Sequence, residues 1–285
     1  MSKRQQSYSS DRNSRPTTRP SHGAVFPRPT HQREPFWIYG RHATLAALAN
    51  PTRHCRRLLV TSDAAYVSED TLVKIYNNCA LYLPKIECVH ISTIEHLLPG
   101  VIHQGMVTQV TPLESRSLNT LLKGTHDTAL STVIMLDQIT DPRNVGAVMR
   151  SAAAFGAMAV VMQERRAPVE TGALARAASG SLEKVPLART TNLARTLETC
   201  KAAGFWTIGL EATAPRSLAQ VEVADRIVLV LGSEGRGLRH SVRVHCDSLV
   251  CLPITSAVES LNVSNAAAVA LYEVTRHRLT DSSRK

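Results

Sequence analysis

Apolar residues recur along this chain at two different spacings, and the two alternate regularly after about residue 131. Short apolar runs predict β-strands, and segments with an apolar residue every three or four positions predict helices. The predicted strands are Thr132–Ile139, Ala157–Met162, Phe205–Leu210, Arg226–Leu231 and Ser248–Leu252. Helices are predicted between them at Arg143–Phe155, around Thr171–Ser179, and from an Asn192 cap to Gly204. This alternation is typical of a mostly parallel sheet with helices on both faces.

A smaller α/β pattern precedes this one. It predicts a helix at Arg41–Ala49, a buried strand at Leu58–Val60, a helix at about Ser68–Cys79, a short capped helix at Ser92–Glu95 and a strand at Met106–Val110. The pattern then weakens into Pro, Ser, Thr, Gly and Asn, which predicts a linker. We therefore divide the chain into a tail (1–35), an N-terminal domain (36–112), a linker (113–130) and a C-terminal domain (131–285).

The last predicted helix, which starts around Ser260, carries a single apolar stripe. The stripe consists of Val263, Ala267, Ala270, Leu271 and Val274. Residues at these offsets lie on one face of a helix, and that face is expected to be buried. It can be buried within its own domain or against a second copy of the chain, and the pattern leaves both open.

Charge changes the picture, because 33 Lys and Arg stand against 23 Asp and Glu, for a net charge of +10. Such an excess favours binding to RNA or DNA, although solubility alone also explains it. No stretch approaches the roughly 18 uninterrupted apolar residues of a membrane helix, so we expect no membrane partner. The six cysteines contain no C-x-x-C pair, and we expect reduced, mostly buried thiols in a cytoplasmic protein.

The first 35 residues differ from the rest in composition. They are rich in Ser, Arg, Pro and Gln, and they hold seven Lys or Arg against Asp11 and Glu34. Such a segment buries too little apolar surface to order itself, which favours a disordered basic tail. An organelle transit peptide is the alternative, but the segment lacks an amphipathic apolar stripe.

Three polar or glycine-rich segments follow predicted strands of the C-terminal domain. In the first, Asp141-Pro142 is a helix start, which places Asn144 in the first helical turn at the carboxyl edge of the sheet. Ligands of open α/β sheets bind at that edge. Arg150 lies six residues further along the same helix. Taken alone, this segment favours the simpler interpretation of Asn144 as a first-turn capping residue and of Arg150 as a solvated charge.

The second segment, Gly232 to Leu238, contains three glycines in six residues and includes Glu234. Glycine lets backbone approach a ligand closely, but the spacing matches neither the dinucleotide-binding nor the phosphate-binding fingerprint. The third segment follows Leu252-Pro253 and contains Ser260, Leu261 and Asn262 at the start of the last helix. Each segment singly fits an ordinary turn or helix cap.

In this order and spacing, over Leu136 to Asn265, the three segments resemble the signature motifs of the SpoU branch of the SPOUT RNA methyltransferases. Ile38–Arg41 and His103–Gly105 resemble the substrate-binding domain of the bacterial enzymes that form 2′-O-methylguanosine in large-subunit (23S) ribosomal RNA. The resemblance covers roughly Phe36 to Arg278.

The resemblance implies an α/β fold: a C-terminal SPOUT domain with a parallel sheet and a trefoil knot, and a small N-terminal RNA-binding domain. It also implies a homodimer that binds RNA and S-adenosylmethionine and methylates a ribose 2′-hydroxyl. Backbone groups of Gly232, Leu252 and Leu261 match positions that hold the cofactor in the family. The positions that match functional side chains are Asn144, Arg150, Glu234, Ser260 and Asn262. No metal is expected.

Methyl transfer to a ribose requires alignment of donor and acceptor and stabilisation of a weakly acidic hydroxyl as it loses its proton. Arg150 is the candidate for holding a phosphate and the attacking oxygen together, because a guanidinium offers a planar fork of donors. Arginine keeps its own proton, so the final proton acceptor stays open. Methylation of transfer RNA by the same chemistry is one alternative. A non-catalytic RNA-binding or ribosome-assembly factor is another.

Overall fold

The computed structural model describes residues 34–79, 83–123, 130–165, 167–255 and 257–282. Nearly all of the predicted basic tail, residues 1–33, lies outside them. The described chain forms two sheets, one of four and one of six strands. Of its helices, none is both long enough and apolar enough to cross a bilayer.

The four-stranded sheet lies within the predicted N-terminal domain. Its elements are β1 (Phe36–Tyr39), α1 (Arg41–Ala49), β2 (Cys55–Val60), α2 (Ser62–Cys79), β3 (Ile86–Cys88), α3 (Ile91–Leu97) and β4 (Met106–Val110). The strand order is β1-β4-β2-β3, with β4 antiparallel to both neighbours and β3 parallel to β2. The predictions of α1 and β4 are confirmed to the residue. The cap predicted at Ser92 is wrong, because His90 accepts the Ser92 N–H and α3 begins at Ile91.

The six-stranded sheet lies within the predicted C-terminal domain. Its elements are β5 (Ser131–Leu136), α5 (Pro142–Ala154), β6 (Ala159–Gln163), α6 (Gly172–Ala178), β7 (Leu187–Thr190), α7 (Leu193–Ala202), β8 (Trp206–Leu210), β9 (Arg226–Leu231), α8 (His240–Arg243), β10 (Ser248–Val250) and α9 (Val263–Ser282). All neighbours in the order β10-β8-β9-β5-β6-β7 run parallel, as the alternating pattern predicts. The trefoil knot stays a prediction, because it concerns threading and not strand order.

Strands β5 and β9 form the centre of this sheet and are buried along almost their whole length. They pair in register from Ser131 with Arg226 to Leu136 with Leu231. Both strands therefore end at the same edge, where the Asp137 N–H donates to the Leu231 carbonyl over 2.8 Å. The loops that carry the first and second predicted motifs leave the sheet side by side at this point.

Several boundaries differ from the sequence prediction. Helix α2 begins at Ser62 and not at Ser68, and strand β5 ends at Leu136 and not at Ile139. Helix α9 begins at Val263, so Ser260, Leu261 and Asn262 belong to the loop before it. Strand β10 ends at Val250, short of Leu252. The predicted linker contains a short helix, α4 (Leu118–Lys123), whose Leu118 and Leu122 are buried in the hydrophobic core. The polar composition of that segment did not predict this helix, which two buried leucines anchor in the core.

The apolar stripe of α9 is buried within its own domain. All five of its residues are 5% exposed or less, and they belong to the same core cluster as α5 and α6. The stripe therefore packs α9 against the core of its own domain and is not available to a second copy. Val269 and Tyr272, on another face of α9, remain 47% and 56% exposed.

Five of the cysteines are free thiols in the described structure: Cys55, Cys88, Cys200, Cys246 and Cys251. Burial raises the pKa of Cys55 to about 11 and that of Cys200 and Cys246 to about 12. These thiols stay protonated near neutral pH and are poor nucleophiles. Cys88 is exposed, which departs from the expectation of mostly buried thiols.

Helices α5 and α6 pack unusually closely at Gly146. A Cβ at that position would stand 2.5 Å from the Leu174 carbonyl oxygen and 2.6 Å from the Cβ of Ala177. We expect Gly146→Ala to force the helices apart and to cost about 1–3 kcal/mol of stability, the usual range for overpacking. Thermal unfolding should show a lower midpoint, whereas Ser151→Ala on the same helix should change stability by no more than about 0.5 kcal/mol. An unchanged midpoint for Gly146→Ala would show that the helices separate without cost.

Candidate active site

Three side chains, one from each predicted motif, meet at the carboxyl edge of the six-stranded sheet. The Asn262 Nδ2 donates to Glu234 Oε1 over 2.8 Å and to Asn144 Oδ1 over 3.1 Å. The Asn144 Nδ2 lies 3.4 Å from the same Glu234 oxygen. Residues 118 positions apart in sequence are thus joined through one carboxylate. The fold thus brings together three segments that are far apart along the chain.

Asn144 is not a helix cap. Asp141 caps α5, because its side chain accepts the Arg143 N–H over 2.9 Å. The Asn144 amide is therefore free to turn toward Glu234 and Asn262. The helix start places the amide at the sheet edge, as the Asp-Pro pattern predicts.

Asn262 has two roles at once. Its Oδ1 accepts the Ser264 N–H over 2.9 Å, so it caps helix α9. Its Nδ2 faces the other way and bonds Glu234. Glu234 Oε1 also accepts the Val263 N–H over 3.1 Å. One carboxylate oxygen thus holds the second loop against the first turn of the last helix, where the helix dipole favours negative charge.

The glycines of the second loop allow the tight turn that the loop itself makes. Ser233 and Gly237 form an isolated antiparallel bridge, and Gly235 and Gly237 have φ of +82° and +63°. A Cβ at Gly232 would clash with the Gly237 carbonyl group and the Leu238 nitrogen. From the sequence, we expect glycine in this loop to let the backbone approach a ligand closely. The structure shows that close approach of the loop to itself already requires it.

Asp137 and Arg239 support this loop and were missed by the sequence analysis. Asp137 is fully buried at the end of β5, and its carboxylate accepts the Arg239 N–H at 2.9 Å, Nε at 2.8 Å and a terminal guanidinium nitrogen at 2.7 Å. A buried aspartate directly after an apolar strand was the available signal, since such a carboxylate needs a partner. The pair fixes the far end of the loop that begins at Gly232.

A cavity of about 280 Å³ lies beside the Glu234 network. Gly232, Leu252 and Leu261, the three predicted cofactor-binding positions, all line it, as do Glu234 and Ser260. Its walls combine backbone of three loops with leucine and isoleucine side chains. Such a mixture of apolar surface and a few polar groups is typical of small-molecule sites.

All the charged residues in the described lining of this cavity are acidic. Among its described lining residues are Glu211, Glu234 and Glu259, and none of the described ones is Lys, Arg or His. Glu211 is paired with Arg243, which lies outside the lining. A cavity with this charge favours a cationic ligand and disfavours a phosphate.

Arg150 lies apart from the cluster. It is exposed on α5 and does not line the cavity, and its side chain hydrogen-bonds no other residue in the described part of the chain. Ser260 is also exposed, although it does line the cavity. Across the described residues, no group of three or more His, Cys, Asp or Glu is arranged to hold a metal ion.

Comparison with known proteins shows which family has this sequence and fold. The model of the SpoU rRNA methylase family matches residues 131–272, and that of the RNA 2′-O ribose methyltransferase substrate-binding domain matches residues 37–116. A 23S rRNA (guanosine-2′-O-)-methyltransferase of Pasteurella multocida is 36% identical over 246 residues, which are 85% of this chain and 98% of the relative. The chain belongs to the SpoU rRNA methylase family.

Two further proteins are similar to this chain. A tRNA/rRNA methyltransferase of Synechocystis, itself uncharacterised, is 37% identical over 85% of this chain, and this chain spans 62% of its length. The SpoU methyltransferase AviRb of Streptomyces viridochromogenes, whose crystal structure contains AdoMet, superposes with a TM-score of 0.68 at 21% identity. The superposition covers 86% of this chain and 91% of AviRb, and it shows a shared fold. The three converging loops lie within the matched methylase range.

Proposed function

We propose that this protein transfers the methyl group of S-adenosylmethionine to a ribose 2′-hydroxyl of RNA. The observation that carries the proposal is the Asn144–Glu234–Asn262 network, which joins all three motifs beside a cavity lined by the second and third motif loops. Membership of the SpoU family supports the same reaction. Methyl transfer of this kind needs no metal and no covalent intermediate on the protein.

The cavity fits the methyl donor by its chemistry. S-adenosylmethionine carries a sulfonium cation, and the lining includes Glu234 and Glu259. The leucines of the lining offer an apolar surface for its adenine ring. Backbone groups of Gly232, Leu252 and Leu261 would hold the donor, which supplies the electrophilic methyl group. The absence of basic residues from the described lining argues that the RNA phosphates bind elsewhere.

Arg150 is proposed to act on the RNA. Its guanidinium is exposed and unpaired within the described residues, so it is free to bind a phosphate of the substrate. From there it would orient the ribose and stabilise negative charge that develops on the attacking oxygen. Glu234, Asn144 and Asn262 would hold the donor loops in place, and Ser260 would contact the ligand from the cavity rim.

The N-terminal domain is proposed to bind the RNA. We retain the division into a tail (1–35), a substrate-binding domain (36–112), a linker (113–130) and a methyltransferase domain (131–285). A cleft of about 480 Å³ is lined by Arg41 and by His103–Gly105, the segments that resemble a substrate-binding domain. The Gln104 side chain accepts the Arg41 N–H over 3.1 Å and joins the two segments. An arginine beside the exposed side chain of Ile102 offers charge for a phosphate and apolar surface for a base.

The substrate we propose is a guanosine of 23S ribosomal RNA, methylated in the cytoplasm. The name of the Pasteurella relative supports this, because that relative matches over nearly its whole length. The name of the Synechocystis relative includes transfer RNA as well. Mass spectrometry of ribosomal and transfer RNA from a deletion strain tests the proposal. Loss of one 2′-O-methylguanosine from 23S RNA is expected. Loss of a methyl group from a transfer RNA would instead identify transfer RNA as the substrate.

Binding of the methyl donor can be measured without RNA. Calorimetry of the purified protein should show binding of S-adenosylmethionine. A protein that bound RNA but no donor would be a non-catalytic RNA-binding factor, which would refute the proposed reaction.

A homodimer is proposed, with its contact on the exposed face of α9. Tyr272 of α9 meets Phe155, the residue after α5, edge to face, with ring centroids 6.3 Å apart, and Val269 is also exposed on α9. Light scattering is expected to give twice the 31.1 kDa of one chain. Tyr272→Glu should yield monomers, because a charge buried in an interface is costly. Val244→Glu, at another exposed valine, is the control and should leave the dimer intact.

A further inference from the structure

A buried ionic cluster joins the two domains far from the donor cavity. Arg53, which follows α1, donates to Glu183 over 2.6 Å and to Glu170 over 3.0 Å. The three side chains are 0%, 4% and 7% exposed. Asn50 adds a bond of 2.7 Å to Glu183. Arg53 and Asn50 belong to the N-terminal domain, and both glutamates flank α6 of the methyltransferase domain.

The same cluster fixes the start of the linker. Arg53 donates to the Thr111 carbonyl over 3.0 Å, and Glu170 accepts the Leu113 N–H over 3.2 Å. Burial alone would lower the pKa of Arg53, but its bonds to Glu183 and Glu170 outweigh that effect and raise the pKa. Arg53 therefore stays charged, and its guanidinium is paired with the two glutamates of this junction.

Close packing accompanies the ionic contacts along the rest of α1 and β1. A Cβ at Gly180 would stand 2.8 Å from the Cβ of Ala46 in α1, and one at Gly172 would clash with Trp37 and Tyr39 of β1. At the other end of α1, Arg176 donates to the Ile102 carbonyl over 2.5 Å. The N-terminal domain is thus held at both ends of α1 against the segment from Glu170 to Glu183.

This segment connects to the candidate active site. Helix α6 packs on α5 at Gly146, and α5 carries both Asn144, in its first turn, and Arg150. Two tightly packed helices thus connect the junction between the domains with the candidate active site.

We propose that Arg53, with Glu170 and Glu183, is a positioning cluster that sets where RNA held by the N-terminal domain meets the donor cavity. The proposal rests on the proposed function. The cluster touches neither the cavity nor the cleft, so its effect is on alignment, which methyl transfer requires. A purely stabilising cluster would change the melting temperature and leave the reaction below that temperature unaffected.

The variant that tests this is Arg53→Met, which removes the charge and keeps most of the apolar stem. Because Arg53→Met leaves two buried carboxylates unpaired and can fail to fold, a second variant combines it with Glu170→Gln and Glu183→Gln. The matched control is Arg57→Met. Arg57 also forms a two-bond ion pair, with Glu87, but on an exposed surface within the N-terminal domain.

Well below their melting temperatures, the Arg53 variants should bind S-adenosylmethionine within about twofold of the parent, whereas kcat/KM for RNA should fall at least about 30-fold. The control should stay within about threefold of the parent. We also expect the cluster variants to place methyl groups on nucleotides next to the normal one, as read by mass spectrometry of the product. Folded variants with the parent's kcat/KM and a single methylated position would overturn the proposal.

Hydrogen exchange separates this proposal from the proposed reaction, because it needs no activity. The amides of Thr111 and Leu113 and those of Ser181–Val185 should exchange faster in the Arg53 variants, while the β5 and β9 amides stay protected. If the parent methylates no RNA but exchange changes in this way, the reaction is refuted and the junction between the domains stands. Unchanged exchange at both segments would refute the positioning cluster itself.

Discussion

Arg150→Ala is expected to slow methyl transfer about 10²- to 10³-fold and to leave the affinity for S-adenosylmethionine unchanged. The reason is that Arg150 lies outside the donor cavity and has no partner among the described residues, so its charge matters chiefly when the ribose oxygen becomes negative. Arg150→Lys should recover little, because an ammonium lacks the planar fork of donors. Single-turnover methylation with saturating RNA and donor measures the chemical step directly.

Arg143→Ala supplies the control for Arg150, since it removes another exposed arginine from the same helix. At saturating RNA, its single-turnover rate should match that of the parent. Arg150 would be an ordinary solvated charge if both of its variants reacted within about threefold of the parent, a difference below about 1 kcal/mol.

Asn262→Asp is expected to weaken binding of S-adenosylmethionine roughly 10- to 100-fold while the fold is kept. The aspartate retains the oxygen that caps α9, and aspartate is a good capping residue. It replaces the Nδ2 donor, 2.8 Å from Glu234, by a second acceptor of like charge. Losing a hydrogen bond to a charged group costs about 1.5–3 kcal/mol, and repulsion adds to it. Calorimetry with the donor gives the affinity.

Asn265→Asp is the matched control for this change. It also adds a carboxylate to the first turn of α9, but Asn265 is exposed and does not bond Glu234. Its donor affinity should equal that of the parent, and thermal unfolding of both variants should show similar midpoints. If Asn262→Asp bound the donor as tightly as Asn265→Asp, the bond between Asn262 and Glu234 would play no part in forming the cavity.

The sequence by itself determined the elements and their class. Strands such as β9, Arg226–Leu231, are continuous apolar runs because a central parallel strand is buried on both faces. Helix α1 was bounded by its own stop signal, and the Asn192 cap bonds the Arg195 N–H as predicted. Short edge strands such as β3 and β7 carried too few residues to show a period, and the Leu118–Lys123 helix was hidden by polar neighbours.

The candidate residues were found from the sequence, but their arrangement was decided by the tertiary structure. Asn144, Glu234 and Asn262 each fit a local role, and only the register of β5 with β9 and the start of α9 bring them to one carboxylate oxygen.

The same holds for the Asp137–Arg239 pair and for the Arg53 cluster, whose partners lie 102 and at least 117 positions apart. Local periodicity reports which face of an element is buried, because that depends on neighbours along the chain. Which charges meet across the fold depends on how whole elements pack, and spacing along the chain does not encode that.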